Sequence, residues 1–493
     1  MSKSLVCCID LGTTGIKAAL CGPGGNVESK VQAPADPGAE FDAAHTRAAS
    51  LELIGRLMAG SRVPPESVAA VSITSQRATI VPLARSGEPS GPAVSWQDTR
   101  CAPEVESFFL RFPAAHFQAL TGLPPSALWS LSKILWIRER MPERFEATAR
   151  FCLLPDFVYT ALGCQRLVTD LASASLTGML DTRLLSWSPD ILRAAGLSRD
   201  MLPGLVPSGT VIGAVSGSAA AATGLQAGTL LVAGGGDQQC AALGMGVVDP
   251  GDAGLCLGTA AVVSCPTASP PGETLHGKAF STVHAAPERW VLEGIHNTFG
   301  SALSWAAAAL AFGSVEELEH AAASASSSGC LFVPHLAGCG SPDFNPLAPG
   351  AFSGLTLSTT REAMARGVLE GVALETRRIL DALDVGTAVT RLRVTGGASR
   401  SDLLPRILAD MTGRELLLCA EPEATLVGAA LLAWTGAGHY ADSAAAARAR
   451  AAGLCAASVG PGPERDSANV LFRQYRHLVN SLLDQTRSVG GSP

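Results

Sequence analysis

A short motif of apolar strand, glycine–threonine turn and apolar strand occurs twice in this chain. The first copy spans residues 6–20 and turns at Gly12-Thr13-Thr14, and the second spans residues 254–264 and turns at Gly258-Thr259. Each copy predicts a β-hairpin, because branched and small apolar residues favour strands and glycine favours the turn between them. Since the copies stand about half a chain apart, they predict a duplicated architecture that holds a nucleotide between two similar halves.

The first turn has the groups that a phosphate-binding loop needs. Backbone N–H groups and the hydroxyl groups of Thr13 and Thr14 donate to anionic oxygens, and Lys17 adds positive charge. In this interpretation Asp10 holds a Mg²⁺ ion through water. The spacing lacks the G-x-x-x-x-G-K-[ST] pattern, so the turn is not a Walker loop. The alternative is an ordinary hairpin turn whose Asp accepts backbone hydrogen bonds.

Length and composition exclude several classes of protein. With 493 residues, 47% hydrophobic and 16% charged, the chain has the composition of a globular protein and the length for two or more domains. A net charge of −7 and a pI near 5.8 leave no excess of cations to neutralise nucleic acid or an anionic membrane. Prolines, glycines and polar residues interrupt the uncharged stretch 201–236 before it reaches the roughly 20 residues of a spanning helix. We therefore expect small-molecule ligands and neither nucleic acid nor a membrane as partner.

The cysteines and the start of the chain indicate a compartment. The 13 cysteines are an odd number without C-x-x-C pairs, which is typical of reduced thiols in a cytosolic protein. Residues 1–4 lead directly into the first strand and leave no room for a secretory leader, so we expect a cytoplasmic protein. The nine histidines show no ligand spacing, so a metal cluster is not expected. The oligomeric state stays open, with a homodimer as one alternative.

Helix and strand patterns alternate along the chain. An amphipathic helix pattern over residues 46–59 precedes a buried strand pattern over 68–74, and a strand pattern over 230–233 precedes an apolar helix. In the second half, a helix pattern over 361–383 precedes a strand pattern over 392–395. This alternation predicts an α/β fold.

Asp237 is the candidate catalytic residue. It follows a predicted buried strand and three glycines, Gly234 to Gly236, which remove bulk so that a substrate hydroxyl group can approach. Phosphoryl transfer needs little covalent chemistry from a protein, but it needs a base that orients the attacking hydroxyl group and accepts its proton. The alternative is that Asp237 caps the helix that follows, which is a common role for Asp after glycine.

Three further turns follow predicted strands. The turn at residues 396–399, before a helix that Ser401 is predicted to cap, lets the flat part of a nucleotide lie on backbone; simple chain reversal is the alternative. Polar side chains also stand in residues 75–79 and at the end of a strand predicted over 93–100. Their Gln, Arg and Asp side chains can hydrogen-bond the hydroxyl groups of a polyol, and Trp96 can stack on its carbon face. Their alternative is a pair of polar strand ends with one aromatic residue in the core.

These motifs occur in the order found in one enzyme family. The chain carries, in sequence, Asp10-Leu11-Gly12-Thr13-Thr14, Lys133-Ile134-Leu135-Trp136, Gly236-Asp237-Gln238-Gln239, Leu257-Gly258-Thr259, Gly350 to Leu355 with Arg366 to Ala373, and Gly396-Gly397-Ala398. Each motif alone is short, but the ordered set covers nearly the whole length and resembles the FGGY carbohydrate kinases.

The resemblance implies an α/β fold of two actin-like ATPase (ribonuclease H-like) domains, with ATP and sugar in the interdomain cleft. We expect the domains to span residues 1–246 and 247–493. The resemblance implies ATP and Mg²⁺ as cofactors, Asp237 as catalytic base and Asp10 as the metal-associated acid. With Lys17 from the first turn, the expected nucleotide-binding residues are Thr13, Thr14, Lys17, Gly258, Thr259, Gly397 and Ala398. The expected substrate-binding residues are Gln76, Arg77, Ala78, Trp96, Asp237 and Gln238.

Different motifs of the chain resemble family members that act on different substrates. Residues 76–79, 96–98 and 236–239 look like glycerol kinase, except that Ala78 stands where that subfamily has a Glu that grips glycerol. Losing this carboxylate leaves room and unmet hydrogen bonds, which favours a longer or differently held polyol. Residues 153–156, 198–203 and 234–236 look more like xylulokinase. That subfamily, however, carries Gln-Met-His-Gly at 76–79, and relatives usually have a Gly-Glu-Arg triplet within 336–342.

The sequence therefore predicts an ATP-dependent kinase of a sugar or polyol, with a ketopentose such as xylulose or ribulose as the favoured substrate. Glycerol is the alternative substrate, and a linear autoinducer-type sugar is a further one. An actin-like nucleotide-binding sensor without transfer activity is the alternative from another class of protein. The carboxylate of Asp237 favours the enzyme, because a sensor has no need to keep it behind three glycines.

Overall fold

The structure is a computed structural model that describes residues 3–36, 38–270, 277–325, 329–384 and 389–489. The strands of the first half are β1 Leu5–Leu11, β2 Gly15–Cys21, β3 Val27–Pro34, β4 Glu40–Phe41, β5 Val68–Ser75, β6 Ile80–Leu83, β7 Ala93–Val94, β8 Arg150–Leu153, β9 Val168–Asp170, β10 Leu180–Asp181, β11 Ser186–Trp187, β12 Gly204–Val206, β13 Val211–Ala214 and β14 Leu230–Val232. Its helices are α1 Ala43–Ser61, α2 Ala102–Phe109, α3 Ala114–Thr121, α4 Ser130–Arg140, α5 Pro142–Ala147, α6 Leu154–Leu162, α7 Leu171–Ala174, α8 Pro189–Ala195, α9 Gly217–Thr223 and α10 Asp237–Gly244.

The second half has the same alternation of strands and helices. Its strands are β15 Asp252–Leu257, β16 Ala261–Thr267, β17 Phe280–Val283, β18 Trp290–His296, β19 Leu331–Val333, β20 Ala351–Ser353, β21 Arg391–Gly396, β22 Glu415–Cys419 and β23 Cys455–Val459. Its helices are α11 Gly300–Ala309, α12 Val315–Ala323, α13 Arg361–Leu383, α14 Leu404–Thr412, α15 Ala424–Gly436, α16 Ser443–Ala451 and α17 Arg465–Val489.

The main sheets of the two halves have matching strand orders. The first runs β3-β2-β1-β5-β14-β13, and the second runs β18-β16-β15-β21-β22-β23 with β17 added beside β18. In both, an antiparallel hairpin is followed by two parallel neighbours and then an antiparallel edge strand. Both predicted hairpins are therefore confirmed, and the duplicated α/β architecture with them.

Each sheet buries its own apolar core, and one helix of the second half packs against the sheet of the first. Helix α15 is apolar on all sides and packs against the first sheet, where Ala430 and Trp434 meet Val6, Cys8 and Ala70. A helix that is hydrophobic all round needs such burial on every face. The two halves thus share a packed boundary.

Some predicted boundaries differ from the structure. The helix predicted over 46–59 begins at Ala43, because the Asp42 carboxylate caps it by accepting the Ala44 N–H at 2.8 Å. The strand predicted over 93–100 ends at Val94. Ser401, the predicted cap of α14, lies two residues before Leu403, which occupies the capping position. The Ser401 hydroxyl group nevertheless accepts the Leu404 N–H at 3.1 Å. Within the described residues, none of the helices combines the length and the apolar character needed to cross a membrane.

Candidate active site

Three neighbouring parallel strands of the first sheet end at one edge, and the candidate residues follow them directly. Leu11 of β1 pairs with Ser75 of β5, and Ser75 pairs with Gly236 beyond the end of β14. The residues that come next are Thr13, Gln76-Arg77 and Asp237. Ligands bind at the carboxyl ends of strands in open α/β sheets, so this edge is the candidate substrate site.

Arg77 contacts the candidate base. Its Nε lies 3.2 Å from Asp237 Oδ1, and its side chain is only 13% exposed. A Cβ atom on Gly236 would lie 2.5 Å from Arg77 Cδ, so the bare glycine gives this guanidinium its path. The structure therefore assigns the space beside Gly236 to the arginine, whereas the sequence predicted space for a substrate hydroxyl group.

Asp237 is the first residue of α10, and Gly236 occupies the capping position. Asp237 Oδ1 accepts the Gln238 N–H at 2.8 Å. Asp237 therefore bonds one N–H group of the first helical turn, as a cap does, although it is not in the capping position. Its side chain is 32% exposed, which leaves carboxylate surface open to a substrate. Burial raises the pKa of Asp237, and the positive charge of Arg77 limits the rise. A carboxylate with a raised pKa is a better proton acceptor from a hydroxyl group.

A hydrogen-bonded chain links the first turn to the candidate sugar residues. The Thr13 hydroxyl group donates to Gln76 Oε1 at 3.0 Å and accepts from Trp96 Nε1 at 3.2 Å. Both bonding directions of this hydroxyl group are thus used by the protein. Lys133, fully buried on α4, donates to the Trp96 carbonyl group at 3.3 Å and holds the other side of this loop.

Ala78 and Gln238 lie beside these residues. Ala78 is 3% exposed and has φ 60°, and its carbonyl group accepts the Ser130 hydroxyl group at 3.2 Å. A larger side chain at Ala78 meets both strain and tight packing, because L-residues rarely adopt positive φ. Gln238 is half-buried and follows Asp237 directly.

The acid and the cation of the first hairpin also have defined surroundings. Asp10 pairs across the hairpin with Lys17, whose Nζ lies 2.8 Å from Glu423 Oε2 at the start of α15. Burial, followed by the charge of Asp237, raises the pKa of Asp10 to about 7. None of the described residues donates a hydrogen bond to the half-buried Asp10 carboxylate, which suits an acid that binds hydrated Mg²⁺. Asp10 is the residue that would hold such an ion, which when bound would supply positive charge beside the phosphate groups.

The second turn is exposed and is fixed from behind by α11. The Gly258 carbonyl group accepts the Gly300 N–H and the Thr259 carbonyl group accepts the Ser301 N–H, both at 3.1 Å. With their carbonyl groups held against α11, Gly258 and Thr259 present the other side of the turn to solvent. This arrangement suits a loop that approaches phosphate oxygens.

The turn after β21 lies at the same sheet edge. Gly396 pairs with Leu257, the residue before the second turn, and has φ 106°. A Cβ atom there would lie 2.1 Å from the Leu257 carbonyl oxygen, so only glycine fits. Gly397 beyond it is exposed with open space above its Cα atom, and Ala398 is half-buried in the same 3₁₀ turn.

Both hairpins lie within electrostatic reach of Asp237. Its charge contributes to the raised pKa of Asp10 on β1, after burial. It contributes in the same way to the raised pKa of the Cys256 thiol on β15, two residues before Gly258. The charge of the candidate base therefore acts on a residue of each hairpin.

Sequence reasoning assigned no role to three residues of this site, which are Glu293, Thr282 and Gln239. Glu293 on β18 lies 2.7 Å from Arg77 Nη1, and it accepts from Thr282 Oγ1 at 2.7 Å and from Gln239 Nε2 at 3.2 Å. Glu293, an acid from the second half, therefore satisfies the Arg77 guanidinium. A signal was present, since an acid inside the apolar strand 290–296 needs a buried partner.

A second polar cluster lies apart from these residues in the second half. His335 Nε2 is 3.1 Å from Glu375 Oε1, and Cys339 Sγ belongs to the same buried group. Arg378 Nη2 donates to the Cys339 sulfur at 3.1 Å and to the carboxylate of Glu375 at 2.6 Å. The structure therefore places a His, a Cys and a Glu together that the sequence spacing did not predict, but the Cys339 and Glu375 side chains already bond to the guanidinium of Arg378.

Two sheets of matching order, each with a glycine–threonine hairpin, and a partly exposed carboxylate at the edge of the first define a two-domain phosphotransferase of the actin-like class. Residues 5–244 match the profile described as the FGGY family of carbohydrate kinases, N-terminal domain, and residues 240–437 match that of the C-terminal domain. The chain belongs to the FGGY family of carbohydrate kinases. It is a phosphotransferase with an alcohol group as acceptor and ATP as its other substrate.

Relatives of this chain include glycerol kinases and a xylulose kinase. A glycerol kinase from Citrifermentans bemidjiense is 34% identical over 460 residues, covering 89% of this chain and 92% of the relative. A xylulose kinase from Escherichia coli is 32% identical over 423 residues, covering 83% and 85%. The crystal structure of xylulose kinase from Rhodospirillum rubrum superposes with a TM-score of 0.89 at 27% identity, covering 97% of this chain and 99% of that one.

Proposed function

We propose that this enzyme transfers the terminal phosphoryl group of ATP to a hydroxyl group of a ketopentose such as xylulose or ribulose. The observation that carries the proposal is the place of Asp237, partly open at the sheet edge and 3.2 Å from a buried guanidinium. We also propose residues 1–246 and 247–493 as the two domains and the cytoplasm as the compartment. A homodimer is the alternative to a monomer, and analytical ultracentrifugation distinguishes them.

In this proposal Asp237 is the general base. Its carboxylate accepts the proton of the attacking hydroxyl group, and the raised pKa from burial makes it a competent acceptor. Arg77, Gln76, Gln238 and Trp96 orient the sugar, and Ala78 closes the floor of the pocket. Positioning and electrostatics carry most of such a transfer, so the fixed hydrogen bonds around Arg77 matter more than covalent chemistry.

The nucleotide is held by the second sheet edge and by the two turns. Thr14 and Lys17 of the first turn, and Gly258 and Thr259 of the second, bind the phosphate groups, with Thr13 between them and the sugar residues. Gly397 and Ala398 support the adenosine. Asp10 holds Mg²⁺ through water, and the ion when bound neutralises phosphate charge.

The choice between ketopentose and glycerol as substrate depends on position 78, where Ala78 replaces the Glu of the glycerol kinase subfamily. Glu293 satisfies Arg77 from behind, so it does not replace an acid that grips two hydroxyl groups of a three-carbon substrate. A longer substrate gains the contacts that glycerol cannot reach. The 34% identity with a glycerol kinase keeps glycerol as the second candidate.

The test is release of ADP with ATP, Mg²⁺ and a panel of glycerol, xylulose, ribulose, hexoses and their alcohols. The proposal expects the highest kcat/KM for a ketopentose. Glycerol as the best substrate would replace it, and no ADP above the sugar-free background would favour the actin-like sensor.

A variant tests the role of the base. We expect Asp237→Asn to lower kcat by about 10² to 10⁴ with nearly unchanged ATP binding, since it removes the base alone. The control Asp249→Asn removes a surface carboxylate paired with Arg448 and leaves kcat unchanged. Wild-type turnover by Asp237→Asn would refute the assignment.

A further inference from the structure

One carboxylate oxygen of the second sheet collects three hydrogen bonds beside the sugar residues. Glu293 Oε1 accepts from Arg77 Nη1 at 2.7 Å, Thr282 Oγ1 at 2.7 Å and Gln239 Nε2 at 3.2 Å. The Glu293 side chain is only 2% exposed. A buried carboxylate that is paired and hydrogen-bonded in this way is held in one position.

The strands that carry Glu293 are themselves anchored on the first half. Phe280 of β17 meets Trp129 edge to face at 5.1 Å, and the Trp290 indole N–H of β18 donates to the Thr182 carbonyl group at 2.9 Å. The Ser281 N–H donates to the Gly122 carbonyl group at 2.9 Å. Glu293 thus reaches Arg77 from strands that pack against the first half.

These bonds determine which part of Arg77 faces the sugar. Nη1 is taken by Glu293 and by Gln239 Oε1 at 3.3 Å, and Nε faces Asp237 at 3.2 Å. None of the described residues accepts a hydrogen bond from Nη2. Because the guanidinium is a planar fork, fixing two nitrogens fixes the third, and Nη2 is the donor left for a substrate.

The charges give Glu293 a second effect. Two carboxylates, of Glu293 and Asp237, share one guanidinium, and the shorter contact goes to Glu293. If Glu293 were neutral, Arg77 would be free to turn both of its outer nitrogens toward Asp237. A bidentate pair of that kind is strong, and it would occupy the oxygens that must receive the proton.

We propose that Glu293 is a positioning residue of the sugar site: it holds Arg77 so that Nη2 faces the substrate and Asp237 keeps an oxygen available as base. The inference rests on the proposed function, in which Arg77 and Asp237 contact the sugar. Glu293 itself acts only through Arg77.

The test compares Glu293→Gln, Arg77→Met and the double variant with the panel compound that the wild type uses best. We expect Glu293→Gln to raise the KM for sugar about tenfold and to leave the KM for ATP within about twofold, as for one charged hydrogen bond. Arg77→Met should lower kcat/KM for sugar about 100-fold. The double variant should be no worse than Arg77→Met alone, because residues that act through one contact are not additive.

Two controls separate this role from a structural one. Glu370→Gln neutralises another buried carboxylate of the second half, 2.7 Å from Arg366 Nε, and should leave both KM values unchanged. If Glu293→Gln does not fold, Thr282→Val removes one bond to Glu293 and should raise the KM for sugar about threefold, still without effect on ATP.

The outcomes are distinct from those of the proposed function. Fully additive losses in the double variant, or equal changes in the KM values for sugar and ATP, would overturn the positioning role while leaving the kinase assignment intact. A preference for glycerol would change the proposed substrate and leave the Glu293 test in force. No turnover with any compound overturns both.

Discussion

Lys17 Nζ lies 2.8 Å from Glu423 Oε2, and this ion pair joins the first hairpin to the start of α15. Lys30 Nζ lies 2.5 Å from the other oxygen, Oε1, of the same carboxylate. The cation proposed to bind phosphate is therefore oriented by an acid of the second half. This pair makes the contribution of Lys17 testable, because Lys30 offers a matched lysine.

We expect Lys17→Met to raise the KM for ATP about tenfold, with the KM for sugar unchanged, because one phosphate-binding charge is lost. Lys30→Met breaks the same carboxylate's other ion pair and should change the KM for ATP less than twofold. Steady-state kinetics with each substrate varied in turn checks both. Equal effects of the two variants would limit Lys17 to its ion pair with Glu423.

The two threonines of the first turn should differ in their effects. Thr13→Val removes the hydroxyl group between Gln76 Oε1 and Trp96 Nε1 and leaves both polar groups unpaired, so we expect the KM for sugar to rise about fivefold or more. Thr14 is exposed, and Thr14→Val should change only the KM for ATP. An unchanged KM for sugar in Thr13→Val would show that this chain does not shape the sugar pocket.

The raised pKa of Asp10 should appear as a pH-dependent stability. The pKa of Asp10 is about 7 in the folded protein and 3.8 in the unfolded chain. The free energy of unfolding therefore falls as the pH rises from 3.8 to 7, because the unfolded chain ionises this group first. Asp10→Asn removes this loss, so the unfolding midpoint of the variant without metal should exceed that of the wild type by a few degrees, about 2 to 6 °C, at pH 8. Calorimetry at pH 5 and pH 8 with chelator checks this. A gap that does not widen with pH would refute it.

The buried pair of His335 and Glu375 should also make stability fall as the pH rises, but in a higher pH window. Burial alone lowers the pKa of His335, but hydrogen bonds to Cys339 and Glu375 outweigh burial and raise it to about 9. The stabilisation is therefore complete below pH 6.5 and is lost as the pH rises through 9. We expect His335→Gln to remove that pH dependence of the unfolding midpoint, whereas His320→Gln on the exposed face of α12 keeps it. A wild-type midpoint that is flat between pH 6.5 and 9.5 would contradict the pair's role.

Local pattern was enough to place much of the candidate site at the ends of predicted strands. The hairpins at residues 12–14 and 258–259 depend on apolar strands around glycine, which are short-range signals. Asp237 follows β14 of the first sheet, and the turn at Gly397-Ala398 follows β21 of the second. In each sheet the parallel strands bring such residues to the carboxyl end without further information.

Residues that act across the boundary were beyond such reasoning. Arg77 and Glu293 are 216 positions apart, and their contact depends on β17 and β18 packing against the first half. The path of Arg77 past Gly236 is likewise a matter of side-chain packing. The sequence predicted that the three glycines before Asp237 make room for a substrate hydroxyl group, and beside Gly236 the structure has the Arg77 side chain in that room.

The sequence by itself determined the duplicated hairpins, the α/β alternation and the family, because these follow from periodicity and from motifs of a few adjacent residues. Only the tertiary structure decided which acids pair with Arg77, which of its nitrogens those acids contact and how Lys17 is oriented. Those relationships join residues of different halves, and the free energy of burying a charge makes each one depend on the partner that folding brings to it.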